Sequence, residues 1–522
     1  MQTNTLDNRD LSAKIVSDLG CSLLPNGKSL REHLTIEGVS LWDVMTPSMA
    51  LYYVPFAISS NDGESSFFKH LRPYVTYTKH VFINFIIRIR NMISKNEDVI
   101  EAPSFMFMGF NKYMYNDVLA PLAKHLECAY EKKYIVLNDG VNSKNVNLHS
   151  DNIHFQSTWQ YWNKEVAKEA RIFKNKTDIS ISELDKILKL KSFSFNNDYS
   201  QKIINHAFNW LLHFDLPLLV NQVVLARNII KRCKPSLLIS SDVADIRSRV
   251  FTLLAKQGNI PILEVQYGSC EENSYEWQFL LADHIAVWGK RSRENLLKQG
   301  VLEHQLTITG TTRNDSLVKI DSSLVQKTKS QLCITNDSIV VLFASSYQQK
   351  EYNSFSHPDL NSSMKKAIFN AANKVQGLTL IVKPHPLEDV NETRSFLTSE
   401  KNIVFTPSTT DIRDLIKACD VFIGLGTTST IDAMIVEKLI ICPVFGDWIW
   451  SDWLVQSEAT LVPRSEKEIE EIFISILEGS AGKIKTELKI KQEKYINNTV
   501  YKPDGFSSNR ISQLAIALAS KH

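Results

Sequence analysis

The run VFIGLGTTSTIDAM, Val421 to Met434, decides how the chain is built. A short apolar stretch ends in Gly424 and Gly426, and then Thr427, Thr428, Ser429 and Thr430 open a helix-like segment. A buried strand that turns through glycine into a helix is the repeating unit of a parallel sheet covered on both faces. The start of such a helix carries unpaired N–H groups and a partial positive end, so it suits an anion. Serine and threonine are equally favoured there as ordinary caps, and this segment alone does not separate the two readings.

Working outward, the same unit recurs. IVVLFASS (339–346), LTLIVKPHP (378–386), NIVFTP (402–407) and LIICPVFG (439–446) read as strands around the first. Earlier come SFMFMGF (104–110), KYIVL (133–137), NIHFQS (152–157), PSLLISSD ending at Asp242, PILEVQYGS, HIAVWG (284–289) and LTITG (306–310). Helical stretches lie between several of them, including one from about Tyr199 to Lys231 that Pro217 is expected to bend or break. NRISQLAIALAS (509–520) reads as an amphipathic helix near the C-terminus. There are too many strands for one ordinary sheet, and a break around residues 288–320 divides them into two. The predicted fold class is therefore α/β, with two doubly wound parallel-sheet domains facing across a cleft. Their expected bounds are 1–287 and 288–505, with 506–522 as a helix that returns to the first domain.

Composition excludes several classes. Fifty-nine basic and 57 acidic residues leave a net charge of +2, so no global field calls for nucleic acid. Cys21, Cys128, Cys233, Cys270, Cys333, Cys419 and Cys442 are scattered singly, without a metal knuckle or disulfide framework, which fits a reducing cytosol. The opening MQTNTLDNRDLS is polar and predicts no secretory signal, and no uncharged run approaches the ~20 residues of a membrane span. The expected location is the cytoplasm.

Ligands of open parallel sheets bind beyond the carboxyl ends of the strands. Asp242 ends one strand, with Asp245, Arg247 and Arg249 close behind. Glu264 and Gln266 flank another exit, followed by Tyr267 and by a loop holding Glu271, Glu272 and Glu276. GTTRND contributes Arg313, and FASSYQQ contributes Ser345 and Ser346. In KPHP, expected at the strand edge adjacent to GLGTTST, Lys383 supplies charge, and His385 is boxed by prolines that lower the entropy of ordering its loop. With Thr427, Thr428 and Ser429 as donors, and with Asp432 placed for ribose hydroxyls, these residues read as a nucleotide phosphate site. No DxD pair stands at a strand exit, and no metal is expected.

The ordered set D…QxG…GTxRxD…SS…KPHP…GTTSTxDA, over roughly Pro235 to Gly446, resembles the GT-B bacterial surface-polysaccharide transferases. That group takes in the capsule and lipopolysaccharide Kdo transferases, bacterial sialyl- and polysialyltransferases, and CDP-glycerol glycerophosphotransferases. The resemblance implies a GT-B fold of two Rossmann-like domains, acceptor-side first and nucleotide-donor-binding second. It implies a cytidine nucleotide held at Lys383, His385, Thr427, Thr428 and Ser429; the reading of the strand exits adds Arg313, Ser345, Ser346 and Asp432 around it. The family often has histidine after the glutamine, where this chain has Tyr267. The catalytic assignment therefore moves to Asp242 and Glu264, as base or nucleophile, with Gln266, Tyr267 and Glu272 on the acceptor or sugar side.

The expected function is metal-independent glycosyl transfer in surface polysaccharide assembly, from a cytidine-activated donor such as CMP-Kdo or a sialic-acid-like sugar. The activated sugar is a substrate, and no separate cofactor is expected. The acceptor is a glycan or lipid-linked glycan. Transfer from CDP-glycerol or CDP-ribitol is the first alternative; a UDP-sugar 2-epimerase and an inactive binding relative are others. Near the N-terminus, Trp42 and Asp43 are placed to line an acceptor pocket. Phe82, Phe85, Ile86, Ile89 and Ile93 share a helical face ringed by Lys79, Arg88, Arg90 and Lys95, which suits either the core or peripheral contact with a membrane.

Overall fold

A computed structural model describes residues 5–50, 54, 105–111, 114–130, 133–137, 152–190, 212, 216–270, 275–318, 322–332, 334, 338–347, 358–386, 388–399, 401–448 and 451–521. The basic apolar face at 79–95, Glu271 and Glu272 lie outside these residues. A small antiparallel ribbon, β1 (Thr35–Ile36) and β2 (Val39–Ser40), precedes the main sheets. The first sheet holds β3 (Phe105–Met108), β4 (Tyr134–Leu137), β5 (Ile153–Gln156), β6 (Leu237–Ser240), β7 (Ile262–Val265), β8 (His284–Val287) and β9 (Leu306–Ile308). The second holds β10 (Ile339–Ala344), β11 (Leu378–Lys383), β12 (Ile403–Phe405), β13 (Val421–Gly424) and β14 (Leu439–Ile441).

Every pairing in both large sheets is parallel. Their strands are buried on both faces, as the continuous apolar runs require. Phe105 and Phe107 enter one cluster with Leu122, whereas Met106 and Met108 enter another with Val224 and Phe251. In the second sheet Val341 and Phe343 meet Phe369 on one side, and Val340 and Leu342 meet Ile431 on the other. Successive side chains of a strand point to opposite faces, so each strand joins two cores. The fold is α/β, with two parallel sheets each covered on both faces.

Strand order locates the crevices. The first sheet runs β5-β4-β3-β6-β7-β8-β9 and the second β12-β11-β10-β13-β14. Order therefore reverses between β3 and β6, and again between β10 and β13. At such switch points the connections leave to opposite faces and open a crevice beyond the carboxyl ends. Asp242 follows β6 at the first crevice; Ser345 and Gly424–Ser429 border the second.

Several expectations need correction. LTITG does not begin the second sheet: β9 pairs with β8, so residues 288–308 extend the first sheet beyond the expected boundary at 287. KPHP and GLGTTST do not leave neighbouring strands, because β10 runs between β11 and β13. Pro217 lies in helix Leu216–Cys233, and residues 213–215, where the expected bend would show, lie outside the described residues. Trp42 is core, and the Asp43 carboxylate is paired with Arg31 at 2.7 Å. Helix Ser507–Ala519 packs Ile511 and Ala515 against Phe105 and Leu122 of the first domain. Asp315 accepts the N–H groups of Ser507 and Ser508 at 2.9 and 2.7 Å, which caps that helix. Among the described residues no helix is long and apolar enough to cross a membrane.

Candidate active site

Register sets three loops at one height. Ala344 of β10 lies opposite Lys383 of β11 and Gly424 of β13. The segments SSY, KPHP and LGTT thus leave the sheet side by side. Gly424 is required by packing, since a Cβ there would come within 2.8 Å of Thr430 Oγ1. Gly426 adopts φ 84°, a left-handed turn that glycine takes without strain.

A carboxylate absent from the sequence reading organises two of these loops. Glu388 accepts bonds from Ser345 Oγ at 2.7 Å, Lys365 Nζ at 2.6 Å and the His385 N–H at 2.9 Å, and also from Thr393 Oγ1. Both members of the Lys365–Glu388 ion pair are almost wholly buried. The proline-boxed turn is therefore fixed from within as well as stiffened. Its imidazole stands parallel to the Tyr347 ring, with centroids 6.1 Å apart. His385 is exposed at the rim, yet the crowded strand exit removes enough water to lower its pKa. Lys383 turns inward, donating to the carbonyls of Ser408 at 2.8 Å and Pro384 at 3.1 Å; desolvation lowers its pKa too. Ser346 accepts a bond from Asn361.

Thr428 stands at the N-cap of helix Ser429–Ile435 without making a side-chain capping bond. Arg313 reaches into this turn, donating to Ser429 Oγ at 3.1 Å and to Asp432 Oδ2 at 2.9 and 2.6 Å. Burial works to lower the Arg313 pKa, but Asp432 and then Asp117 outweigh it and raise it. The expected ribose contact of Asp432 is thus occupied by an ion pair, and Arg313 is anchored before any ligand arrives.

On the facing domain, Asp242 accepts the N–H groups of Ala244 and Asp245 at 3.2 and 3.1 Å, a local turn that aims its carboxyl. Burial, reinforced by Asp245, pushes its pKa up to about 6. Arg247 pairs with Asp245 at 2.7 Å, so it does not neutralise Asp242 directly. Glu264 lies wholly inside β7, and its Oε1 has no hydrogen-bond partner among the described residues. Burial, with Asp242 nearby, lifts its pKa well above the usual carboxylate range. A buried neutral acid fits that position better than a nucleophile. Gln266 is spent on structure: its amide donates to Gly268 O at 2.7 Å and Ser292 Oγ at 3.0 Å and accepts the Trp288 N–H at 2.8 Å. The residue is wholly buried, which puts that amide out of reach of an acceptor. Tyr267 is half-buried, with its pKa raised by burial and influenced by Arg313, Asp117 and Asp242.

Two further charged residues join the halves. Asp117, on the wide turn Tyr115–Leu119 after β3, lies 3.7 Å from Arg313 Nη1 and 3.4 Å from Arg413 Nη2. Arg413 is held at 2.7 Å by Asp411. Neither Asp117 nor Arg413 belongs to a short motif, and only the folded chain brings them to the site. Among the described residues no group of three or more His, Cys, Asp or Glu is arranged to hold a metal ion.

This geometry meets three comparisons. Residues 283–424 match the family CDP-Glycerol:Poly(glycerophosphate) glycerophosphotransferase. That span takes in Arg313, Ser345, Ser346, Lys383 and His385. No curated protein matches the chain. Among solved structures, the wall teichoic acid polymerase TagF is 12% identical over 88% of this chain and 99% of that one, with TM-score 0.51. A single-residue variant of the same polymerase is 11% identical over 86% of this chain and 98% of that one, with TM-score 0.51. UDP-GlcNAc 2-epimerase from Neisseria meningitidis is 14% identical over 80% of this chain and 100% of that one, with TM-score 0.49. At these identities the structural likeness is one of fold. Of the groups the motifs resemble, the CDP-glycerol transferases are the one the family match supports. The chain has a GT-B-like fold and is an enzyme of the glycosyltransferase type.

Proposed function

We propose that this protein builds a surface glycopolymer by transferring glycerol phosphate from CDP-glycerol to a hydroxyl at the growing end. The observation that carries this reading is the meeting of Ser345, KPHP and LGTTS at the second switch point, within or beside the span matched by the CDP-glycerol transferase family. The cytidine diphosphate would lie across those exits, with its phosphates toward the first turn at Thr427–Ser429 and Arg313. The acceptor would enter from the β6 side, where Asp242 waits.

The chemistry follows from that arrangement. An acceptor oxygen attacks the distal phosphorus, its proton passes to the Asp242 carboxylate, and the bond from that phosphorus to the bridging oxygen breaks. CMP leaves with the bridging oxygen and its electron pair. A carboxylate pushed up to about 6 is deprotonated at neutral pH but more basic than an ordinary aspartate. The anchored guanidinium and the hydroxyls of the helix start oppose the charge that builds on the leaving phosphate. A CMP-activated acidic sugar shares the cytidine half of this site, so donor choice decides between the two.

The test is product analysis with purified protein, an acceptor ending in glycerol phosphate, and three donors: CDP-glycerol, CMP-Kdo and UDP-GlcNAc. CMP formed only with CDP-glycerol, together with a longer polymer, is the expected result. CMP from CMP-Kdo alone returns the function to acidic-sugar transfer, and interconversion of UDP-GlcNAc without polymer growth ends the transferase reading.

A further inference from the structure

Asp117 is the one anion of the interdomain cluster that its arginines hold loosely. Arg313 is fixed by Asp432 at 2.6 Å, and Arg413 by Asp411 at 2.7 Å. Both distances are those of strong charge-assisted bonds, about 2.7–2.9 Å or shorter. Asp117 touches the same two guanidinium groups at only 3.7 and 3.4 Å. It also comes from the opposite domain, on a wide turn between β3 and the following helix. Wide turns of this kind occur often at functional sites. The side chains of Asp117 and Arg413 are 28% and 18% exposed, so water and solutes reach the contact. Arg313 also touches Ser429, which places the pair of guanidiniums beside the helix start where the donor phosphates are proposed to lie.

We propose that Arg313 and Arg413 form a diphosphate clamp and that the Asp117 carboxylate is its placeholder, displaced when the donor binds. The inference rests on the nucleotide reading of this site and names its anion-binding half. Asp432 and Asp411 orient the two guanidiniums, so the clamp is built before the ligand arrives. A diphosphate brings more charge and more acceptor oxygens than one carboxylate and replaces it. Displacement breaks the contact of Asp117 with Arg413 on the second domain, while Thr312 Oγ1 keeps its bond to the Val118 carbonyl of the same turn at 2.9 Å, so donor occupancy is tied to the Asp117–Arg413 contact between the two halves. Arg413 also lies outside the segments read as motifs, and its part is binding, by direct contact with donor oxygen.

Titration calorimetry on the full chain tests this with inorganic pyrophosphate, CDP, UDP, CMP and cytidine. Wild type is expected to bind pyrophosphate and to prefer CDP over CMP. Arg413→Lys keeps the charge but loses the planar fork, and should weaken CDP and pyrophosphate about tenfold or more while leaving cytidine unchanged. Asp117→Asn removes the competing charge and should tighten both anions severalfold. Pyrophosphate that fails to bind wild type, or binds Arg413→Lys equally well, overturns the clamp. Asp117→Asn with unchanged or weaker anion binding overturns the placeholder. If pyrophosphate depends on Arg413 but UDP binds as well as CDP, the clamp stands and the cytidine assignment falls.

Discussion

Arg313 Nη2 lies 2.6 Å from Asp432 Oδ2, with the two side chains 9% and 3% exposed. The pair joins the segment after the first sheet to the helix that follows β13. Because Asp432 is spent on this contact, it positions a cation instead of meeting a ribose. Asp432→Ala leaves the Arg313 charge buried with Asp117 only at 3.7 Å. Loss of one partner of such a pair costs about 3–5 kcal/mol, whereas replacing both by apolar residues of similar volume is often near neutral. Urea unfolding should therefore show Asp432→Ala much less stable than the double variant Arg313→Met/Asp432→Leu. A single-variant loss below about 1 kcal/mol contradicts the account.

Asp242 carries a stability cost that follows from its proposed role. Its folded pKa is pushed up to about 6, above the ordinary aspartate value, so the folded state binds the proton more tightly than the unfolded chain. Stability from this group is fully present below the unfolded pKa and is lost as pH rises through about 6. Asp242→Asn keeps an oxygen for the Ala244 and Asp245 N–H groups and removes the titration. At pH 7.5 it should be more stable than wild type by roughly 1–3 kcal/mol, an advantage that shrinks toward pH 4. Transfer should fall by about 100-fold or more, and the wild-type rate should have an acidic limb near the pKa of Asp242. Full activity in the asparagine variant removes Asp242 as the base.

Glu388→Gln tests the hub beneath KPHP. The substitution leaves a single acceptor oxygen where Ser345 Oγ and the His385 N–H use two, and it leaves Lys365 buried without its counter-charge. Stability should drop by about 3 kcal/mol. The CDP dissociation constant should rise while cytidine-free properties of the first domain, read by exchange of its β3 and β6 amides, stay unchanged. CDP affinity equal to wild type means that Glu388 supports the fold without orienting the site.

Much of this architecture is legible in the sequence. The strands after Pro235 stand out because a doubly covered parallel strand needs an uninterrupted apolar run, and the exits stand out because glycine, proline and hydroxyl residues cluster where a strand must turn into a helix. Strand order is not legible, since nothing local to KPHP or GLGTTST says that β10 runs between them. For the same reason LTITG reads as part of the wrong sheet. Gln266 carries the polarity of a site residue, yet its partner Trp288 is 22 positions away and reveals it as a brace. Glu388 sits three residues beyond His385 and is open to notice, because a buried lysine such as Lys365 needs an acid. Asp117 and Arg413, almost three hundred residues apart, meet only through the fold.

The central claim is a cytidine diphosphate at the β10/β13 crevice, and Thr428 gives the cleanest access to it because its hydroxyl makes no capping bond whose loss would disturb the helix. The measurement is thermal unfolding of wild type and Thr428→Ala with CDP, UDP and GDP, each near 100 times the dissociation constant of the best ligand. Binding at that level adds about 2.7 kcal/mol of stability. The account predicts a clear rise in melting temperature with CDP, a smaller one with UDP and GDP, and a loss of much of the CDP effect in Thr428→Ala with the unliganded melting temperature unchanged. Equal stabilisation of both proteins by CDP, or none of either by any nucleotide, contradicts it.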